Sequence, residues 1–257
     1  SVPTILITND DGAHSPGLLA LKQALAAVGE VIIFAPDHNW SGAGHTKTLH
    51  KPLRVDQVTL ADGSVAYVTS GAPSDCVALA LLGVAPRQPD IVVSGINLGL
   101  NVGEDITYSG TVAGAMEAVV FGIPAIAVSQ DMQVEDGHQV DFGPVAQLAA
   151  RLAAQVLERG LPPKVFLNVN GPPLPPEQIR GAQVTRLGRR IYRDALVERT
   201  DPRGKPYYWI GGEMPSVEIE DGTDVGALAE GYISVTPLNM DMTDRAFMAR
   251  LARWELG

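Results

Sequence analysis

The first two thirds of the chain alternate short, almost wholly apolar runs with longer segments whose apolar residues recur every three or four positions. The short runs have the length of strands and occupy residues 4–8, 31–35, 90–94, 125–129 and 164–169. The longer segments predict helices over residues 17–28, 74–82, 111–121 and 142–158. Strands that are apolar throughout are typical of a sheet covered on both faces, and alternation with helices indicates parallel pairing. The pattern therefore predicts an α/β fold with a doubly wound, mostly parallel sheet between two layers of helices.

Polar, glycine-containing segments follow three of the predicted strands, at residues 9–12, 36–45 and 95–111. In open α/β sheets, ligands bind beyond the carboxyl ends of the strands. We therefore expect one edge of the sheet to gather these segments into a ligand site. A hairpin formed by residues 53–58 and 65–69 interrupts the alternation without changing this expectation.

The pattern changes near residue 171. Residues 171–176 are rich in proline and predict a rigid connector, after which the chain is β-rich and ends in an amphipathic helix over residues 242–256. We predict a core over residues 1–171 and an extension over residues 172–257 that partly returns to the core. The large apolar residues of the extension indicate an oligomer contact. Packing of the terminal helix back on its own core is the alternative.

Charge and composition argue against several classes of protein. The formal net charge of −10, from 19 basic and 29 acidic residues, argues against nucleic-acid binding. A phosphorylated ligand stays compatible with this charge if a bound divalent cation dominates the local field. No uninterrupted run of about 18 apolar residues predicts a membrane span. The single cysteine, Cys76, excludes an intramolecular disulfide, and the first residues lack a signal-like apolar segment, so we expect a cytoplasmic protein.

Two adjacent carboxylates, Asp10 and Asp11, stand between Asn9 and Gly12 at the end of the first predicted strand. Crowded carboxylates repel each other unless a cation or hydrogen-bond donors gather beside them. Gly12 permits the backbone turn that lets both side chains reach one ion. An Asx turn or a helix cap uses the same residue types and is the alternative interpretation.

Two further segments have the composition of a ligand site. Residues 95–103 combine three glycines with Asn97 and Asn101, which suits a close approach of the backbone to a ligand, although a flexible loop has the same composition. Residues 109–111 precede an alanine-rich helix, whose N-terminal amide groups favour a phosphate. Here Ser109 as a plain helix cap is the alternative.

The segment between residues 36 and 51 contains His38, Ser41, His45 and His50. No compact zinc-ligand spacing occurs among these histidines. The remaining candidates, which are aspartate, asparagine and serine side chains, are oxygen donors that suit Mg²⁺ or Mn²⁺.

These segments resemble motifs of the survival protein E (SurE) family of nucleotidases. The blocks are ILITNDDG, APD followed by SG, SGINLGLNVG, YSGTVAGAME and GYISVTPL, at residues 5–12, 35–42, 94–103, 108–117 and 231–238. Five blocks in the same order along the chain make the resemblance specific. It implies a Rossmann-like core with three α/β/α layers and a metal-dependent phosphatase of nucleoside monophosphates, in some members also of short polyphosphate.

The resemblance also implies the site residues. One divalent ion per subunit, Mg²⁺ or Mn²⁺, is expected on the metal ligands Asp10, Asp11, Ser41 and Asn97. The expected phosphate contacts are Asn9, Asn101, Ser109, Gly110 and Thr111. Dimers or tetramers are expected to form through the C-terminal portion. The loop around Ser41 departs from the family, because His38-Asn39-Trp40 replaces basic residues and Gly42-Ala43-Gly44-His45 replaces a Ser- and Asn-rich stretch.

Our mechanistic hypothesis is that a metal-activated water attacks the phosphate, with Asp11 or Asp10 as the catalytic proton acceptor. Direct attack by an aspartate is the rival hypothesis, and the Asp-x-Asp arrangement typical of it is missing. Two other functions stay open: a phosphatase that mainly cleaves polyphosphate or other phosphoesters, and a nucleotide-binding module without catalysis.

Overall fold

A nine-stranded sheet forms the centre of this computed structural model, which describes residues 2–133, 140–191, 194–212 and 216–255. Its strands are β1 (Thr4–Thr8), β2 (Glu30–Pro36), β3 (Val55–Thr59), β4 (Val65–Thr69), β5 (Ile91–Leu98), β6 (Ala125–Gln130), β7 (Val165–Gly171), β8 (Ala182–Val184) and β13 (Ile233–Asn239). Their spatial order is β3-β4-β2-β1-β5-β6-β7-β13-β8. Only the β3–β4 and β7–β13 pairs of this sheet are antiparallel, so the predicted mostly parallel sheet is confirmed.

Four helices cover the two faces of the sheet: α1 (Pro16–Leu25), α2 (Pro73–Leu79), α3 (Gly110–Val120) and α4 (Gly143–Arg159). Alternate side chains of a strand point to opposite faces. Ile5 and Ile7 of β1 accordingly lie in the core with α1 and α4, whereas Leu6 lies in the core with α2 and α3. The fold therefore has the predicted three α/β/α layers.

The order of the strands reverses at β1. Strand β1 pairs in parallel with β2 on one side and with β5 on the other. The loops after β1 and β5 therefore leave the same edge of the sheet and diverge, which opens a crevice between them. The predicted polar segments after these two strands meet at this crevice.

Element boundaries in the core differ from the prediction by a few residues, for example at the ends of α1 and β5. Helix α1 ends at Leu25 rather than at residue 28, because the chain enters a tighter turn in which the Val28 amide donates to the Leu25 carbonyl at 2.8 Å. Val28 still packs on the core, which explains why the helical spacing continued. Strand β5 runs on to Leu98, because residues 97 and 98 pair with β6 after a register shift.

The extension places two strands in the main sheet and carries two small strand pairs. Strand β13 lies between β7 and β8, and α5 (Asp224–Ala229), a helix that the β-rich pattern did not predict, packs on β13. Strand β10 (Asp194–Thr200) pairs with β11 (Pro206–Gly212) in a hairpin. Strand β9 (Arg190–Ile191) pairs with β12 (Ser216–Val217).

The terminal helix is shorter than predicted. Helix α6 covers Arg245–Leu251, with Asp244 as its cap accepting a hydrogen bond from the Phe247 amide at 2.8 Å. The prediction of a helix over residues 242–256 was wrong in extent, because its apolar spacing continues through residues that form turns, and residue 256 lies outside the described part. None of the helices in the described ranges has the length and hydrophobicity needed to cross a membrane.

Candidate metal centre

The turn that follows β1 is built by Asn9. The Asn9 side chain accepts a hydrogen bond from the Gly12 amide at 3.2 Å and donates one to the Gly12 carbonyl at 2.9 Å. The Asx turn is therefore formed by Asn9, and neither aspartate takes part in its two hydrogen bonds. The side chain of Asn9 is fully buried in this role.

Asp10 is a buried carboxylate that the first turn of α3 holds in place. Its Oδ1 accepts a hydrogen bond from the Thr111 hydroxyl at 2.6 Å, and only 4% of the residue is exposed. Burial raises the pKa of Asp10, and the hydrogen bond from Thr111 offsets only part of that rise. Gly110 lies so close that a Cβ atom there would stand 2.8 Å from the Asp10 Cβ.

Asp11 and Asn97 are brought together by the pairing of β1 with β5. The Leu98 amide, one residue beyond Asn97, donates to the Asp11 Oδ2 at 3.2 Å. Burial and then the charge of Asp10 raise the pKa of Asp11 to about 6. The Asn97 Nδ2 donates to the Gly99 carbonyl at 2.8 Å, so the Asn97 Oδ1 is the atom that a cation would meet.

Ser41 lies in an exposed turn beside Asp10. The Trp40 amide donates to the Asp10 carbonyl at 2.8 Å, which ties the turn to the end of β1. The Ser41 amide donates to the Asn39 Oδ1 at 2.7 Å, and the Ala43 amide donates to the Trp40 carbonyl at 3.2 Å. Backbone contacts thus bring the Ser41 turn to the two aspartates.

The N-terminus of α3 faces the same crevice. Ser109 is the cap of this helix, because its Oγ accepts a hydrogen bond from the Val112 amide at 3.1 Å. A capping hydroxyl keeps its own hydrogen for a further acceptor. The amides of Gly110 and Thr111 belong to the first turn, which has no carbonyl partners within the helix. The cap and the phosphate cradle are therefore compatible here.

Asn101 is held from the ends of β6 and β7. Its amide donates to the Asn170 Oδ1 at 2.8 Å, and its carbonyl accepts from the side chains of Asn168 and Asn170 at 2.9 and 3.0 Å. Its own Nδ2 donates to the Ser129 hydroxyl at 2.8 Å. This buried network fixes the glycine-rich segment after β5, and the Asn101 Nδ2 is already engaged in it.

Three buried carboxylates hold segments near the crevice in place. Glu117 of α3 binds His45 and Lys47, Asp75 of α2 binds Thr48, and Asp224 of α5 accepts from the Gly103 amide at 2.9 Å. Glu117 and Asp224 were not singled out from the sequence as site residues, because their role depends on partners from distant segments of the chain. Each of the three carboxylates is the only charged residue of its helix, which is a local signal that could have identified them.

The donor set fits a hard divalent cation. Two carboxylates, one amide oxygen and one hydroxyl are oxygen ligands of the kind that Mg²⁺ and Mn²⁺ prefer. Within the described ranges no Lys, Arg or His forms an ion pair with Asp10 or Asp11. Burial is the main cause of their raised pKa values, to which the charge of Asp10 adds at Asp11, and a cation beside both carboxylates would offset these effects.

Comparison with known proteins gives one consistent family. Residues 5–194 match the family model described as survival protein SurE. The chain is 55% identical over 251 residues to the 5′-nucleotidase SurE of Chloroflexus aggregans, covering 98% of each chain. It is 54% identical to the 5′-nucleotidase SurE of Herpetosiphon aurantiacus, covering 96% of each.

A solved structure agrees with the sequence comparisons. The crystal structure of the SurE protein from Aquifex aeolicus superposes with a TM-score of 0.81 at 42% identity, covering 97% of this chain and 98% of that one. The resemblance of the five sequence blocks is confirmed, and the chain belongs to the SurE family.

Proposed function

We propose that this SurE-family protein is a divalent-metal-dependent phosphatase that hydrolyses nucleoside monophosphates to nucleoside and phosphate. One observation carries the proposal: the crowded pair Asp10 and Asp11 lies at the point where the strand order reverses, in contact with the first turn of α3. The relatives from C. aggregans and H. aurantiacus are named 5′-nucleotidases, which supports the nucleotide as substrate.

The proposed metal ligands are Asp10, Asp11, Ser41 and Asn97, which would hold one Mg²⁺ or Mn²⁺ ion per subunit. Asp10 and Asp11 supply the negative charge, and Asn97 presents its Oδ1 because its Nδ2 is bound to Gly99. When bound, the ion supplies positive charge to the phosphate oxygens and acidifies a water molecule.

The proposed phosphate site is the N-terminus of α3. The amides of Gly110 and Thr111 and the hydroxyl of Ser109 would donate to phosphate oxygens, and the helix dipole favours the negative charge. Asn9 and Asn101 stay predicted contacts. The structure favours a supporting role for their side-chain amides, which bind Gly12 and Ser129.

Among the two aspartates, Asp11 suits the role of proton acceptor. Asp10 already accepts a hydrogen bond from Thr111 and is almost fully buried, whereas Asp11 is only partly buried. A proton acceptor must be within reach of the water whose proton it takes, and the partly exposed Asp11 meets this condition better than the buried Asp10. In this proposal Asp11 takes the proton of the attacking water, and Thr111 keeps Asp10 oriented.

Assembly and location stay predictions. Exposed apolar side chains on the β10–β11 hairpin and on α6 support a homodimer or homotetramer. Both segments belong to residues 172–257, the extension through which we expect the subunits to associate. The structure supports only a partial division, because β13 and β8 lie in the main sheet. A cytoplasmic location and an additional activity on polyphosphate are predictions from the sequence.

A phosphate-release assay tests the proposed function. The substrates are nucleoside 5′- and 3′-monophosphates, a short polyphosphate and p-nitrophenyl phosphate, each with Mn²⁺, with Mg²⁺ and with EDTA. We expect metal-dependent release that is fastest with a nucleoside monophosphate. Faster release from polyphosphate would support the second function class, and binding without release from any substrate would support the non-catalytic module.

A further inference from the structure

The turn that carries Ser41 is tied to the end of β1 through Trp40, and a glycine-containing stretch follows it on the other side. Gly42 and Gly44 flank Ala43, and both have positive φ angles, of 76° and 62°. Glycine has more backbone freedom than any other residue. Contacts outside this short stretch must therefore determine where Ser41 stands.

The strongest of these contacts runs to Glu117. The Glu117 Oε2 lies 2.7 Å from the His45 Nε2, and the Lys47 Nζ donates to the Glu117 Oε1 at 3.0 Å. Only 4% of the Glu117 side chain is exposed, and a carboxylate buried to this extent needs such partners. Burial raises the pKa of Glu117, but the hydrogen bonds from His45 and Lys47 outweigh burial and hold it below its usual range.

Neighbouring contacts hold the rest of the loop to the same two helices. Both the amide and the hydroxyl of Thr48 donate to Asp75 of α2, at 2.9 and 2.7 Å. The Gly44 amide donates to the Tyr108 carbonyl just before α3, at 2.9 Å. Residues 44–48 are thus fixed, and the glycine-containing turn projects from them towards Asp10.

Helix α3 is the element that connects the two halves of the metal centre. Its first turn holds Asp10 through the Thr111 hydroxyl, and its eighth residue, Glu117, holds the loop of Ser41. A helix keeps these two attachment points at a constant separation. Displacing the Glu117 contact would therefore move Ser41 relative to Asp10 without touching either residue.

We propose that Glu117 is a positioning residue of the metal centre: through His45 and Lys47 it fixes the loop so that Ser41 meets the cation held by Asp10 and Asp11. The inference rests on the proposed function, because it takes Ser41 as a metal ligand. Residues that orient metal ligands typically change metal affinity on the order of 10- to 100-fold when they are replaced.

A double-mutant cycle on Mn²⁺ binding tests the inference. The dissociation constant for Mn²⁺ is measured by calorimetry on the full chain for wild type, Glu117→Gln, Ser41→Ala and the double variant. We expect each single variant to weaken binding about tenfold. If Glu117 acts through Ser41, the double variant binds Mn²⁺ no more weakly than Ser41→Ala alone. The reason is that both substitutions remove the same contact, the one between Ser41 and the cation.

Matched controls separate positioning from general stabilisation. His45→Ala and Lys47→Ala remove the contact from the loop side, so they should reproduce the loss even if Glu117→Gln folds poorly. Asp62→Asn, which changes an exposed carboxylate paired with Lys22, should leave Mn²⁺ affinity unchanged. Thermal unfolding of the metal-free proteins reports any loss of stability on its own, and a purely structural role would change only that readout.

Three results would overturn the inference: wild-type Mn²⁺ affinity in Glu117→Gln and both loop variants, independent effects that multiply in the double variant, or wild-type affinity in Ser41→Ala. The last result is distinguished from failure of the proposed function by Asp10→Asn. If Asp10→Asn abolishes Mn²⁺ binding, the metal centre is correct and only Ser41 is not a ligand. If the Asp10→Asn protein binds Mn²⁺ as tightly as wild type, the proposed metal centre itself is wrong.

Discussion

The crevice between β1 and β5 differs from two separate segments of the extension, the β10–β11 hairpin and α6, in how completely this chain covers it. We refer to these two segments together as the arm. Around the crevice, Asp10, Thr111 and Asn101 are buried and have partners within the chain. On the arm, Ile210 is 86% exposed and Trp254 60% exposed. Exposed apolar surface of this kind marks an interaction site. The crevice is therefore built by residues of one chain, whereas the arm leaves apolar surface exposed for the homo-oligomer that we propose.

The largest expected effect comes from Asp10→Asn. The change keeps the shape of the side chain and an acceptor for Thr111, but it removes the charge at the centre of the crevice. We expect turnover of a nucleoside monophosphate to fall on the order of 10³-fold with Mn²⁺ present. Steady-state phosphate release measures this loss. Near-normal turnover by a variant that elutes like wild type in size-exclusion chromatography would refute the proposal that Asp10 binds the metal.

A smaller loss is expected from Gly110→Ala. A Cβ atom at this position would lie 2.8 Å from the Asp10 Cβ and 3.0 Å from its Oδ2, so Asp10 or the first turn of α3 must shift. We expect kcat/KM to fall about 10- to 100-fold, because small misplacements at a reacting centre have large effects on rate. Gly63→Ala is the control, since it also strains a glycine but has no atom within 4 Å of its added Cβ. Equal loss in both variants would contradict a specific effect on Asp10.

The arm is tested by replacing the exposed cross-strand pair Leu196 and Ile210 with serine. Removing this apolar surface should shift the protein towards monomer in sedimentation velocity, with a much smaller loss of turnover than Asp10→Asn causes. Glu198→Gln, at an exposed polar position of the same hairpin, should keep the assembly of wild type. An unchanged assembly in the double serine variant would remove the hairpin from the interface.

The smallest expected effect is a gain of stability in Asp11→Asn without metal. The pKa of Asp11 in the folded protein is raised to about 6, so ionisation of Asp11 is less favourable in the folded than in the unfolded chain. The folded state of wild type is consequently destabilised as pH rises from about 4 through about 6. We expect the variant to unfold at a higher temperature than wild type at pH 8 and at a similar temperature at pH 4. A difference that grows towards low pH would contradict the assigned shift.

The sequence predicts the crevice better than the arm, and the reason is physical. Apolar runs predict β1 and β5 because burial on both faces leaves a local mark, and crowding of Asp10 and Asp11 is visible in two adjacent letters. Ser41 and Asn97 needed the family resemblance. Their place beside the aspartates depends on contacts such as that between Leu98 and Asp11, which lie 87 positions apart.

The sequence did not predict the role of Glu117, and it predicted a terminal helix that is too long. Glu117 looks like a surface charge in an alanine-rich helix, and only the folded loop shows that it is buried against His45 and Lys47. The end of α6 was placed too far along the chain, because amphipathic spacing continues beyond Leu251 into turns. A local pattern reports local burial, and it carries no information on which distant segment supplies the partner.

The most direct test of the account is anomalous diffraction from crystals soaked in Mn²⁺. We predict one anomalous peak per subunit between β1 and β5, within about 2.5 Å of oxygen atoms of Asp10, Asp11 and Asn97, with Ser41 completing the set. A peak elsewhere, or the same peak in crystals of Asp10→Asn, would contradict the claim that these residues form the metal centre.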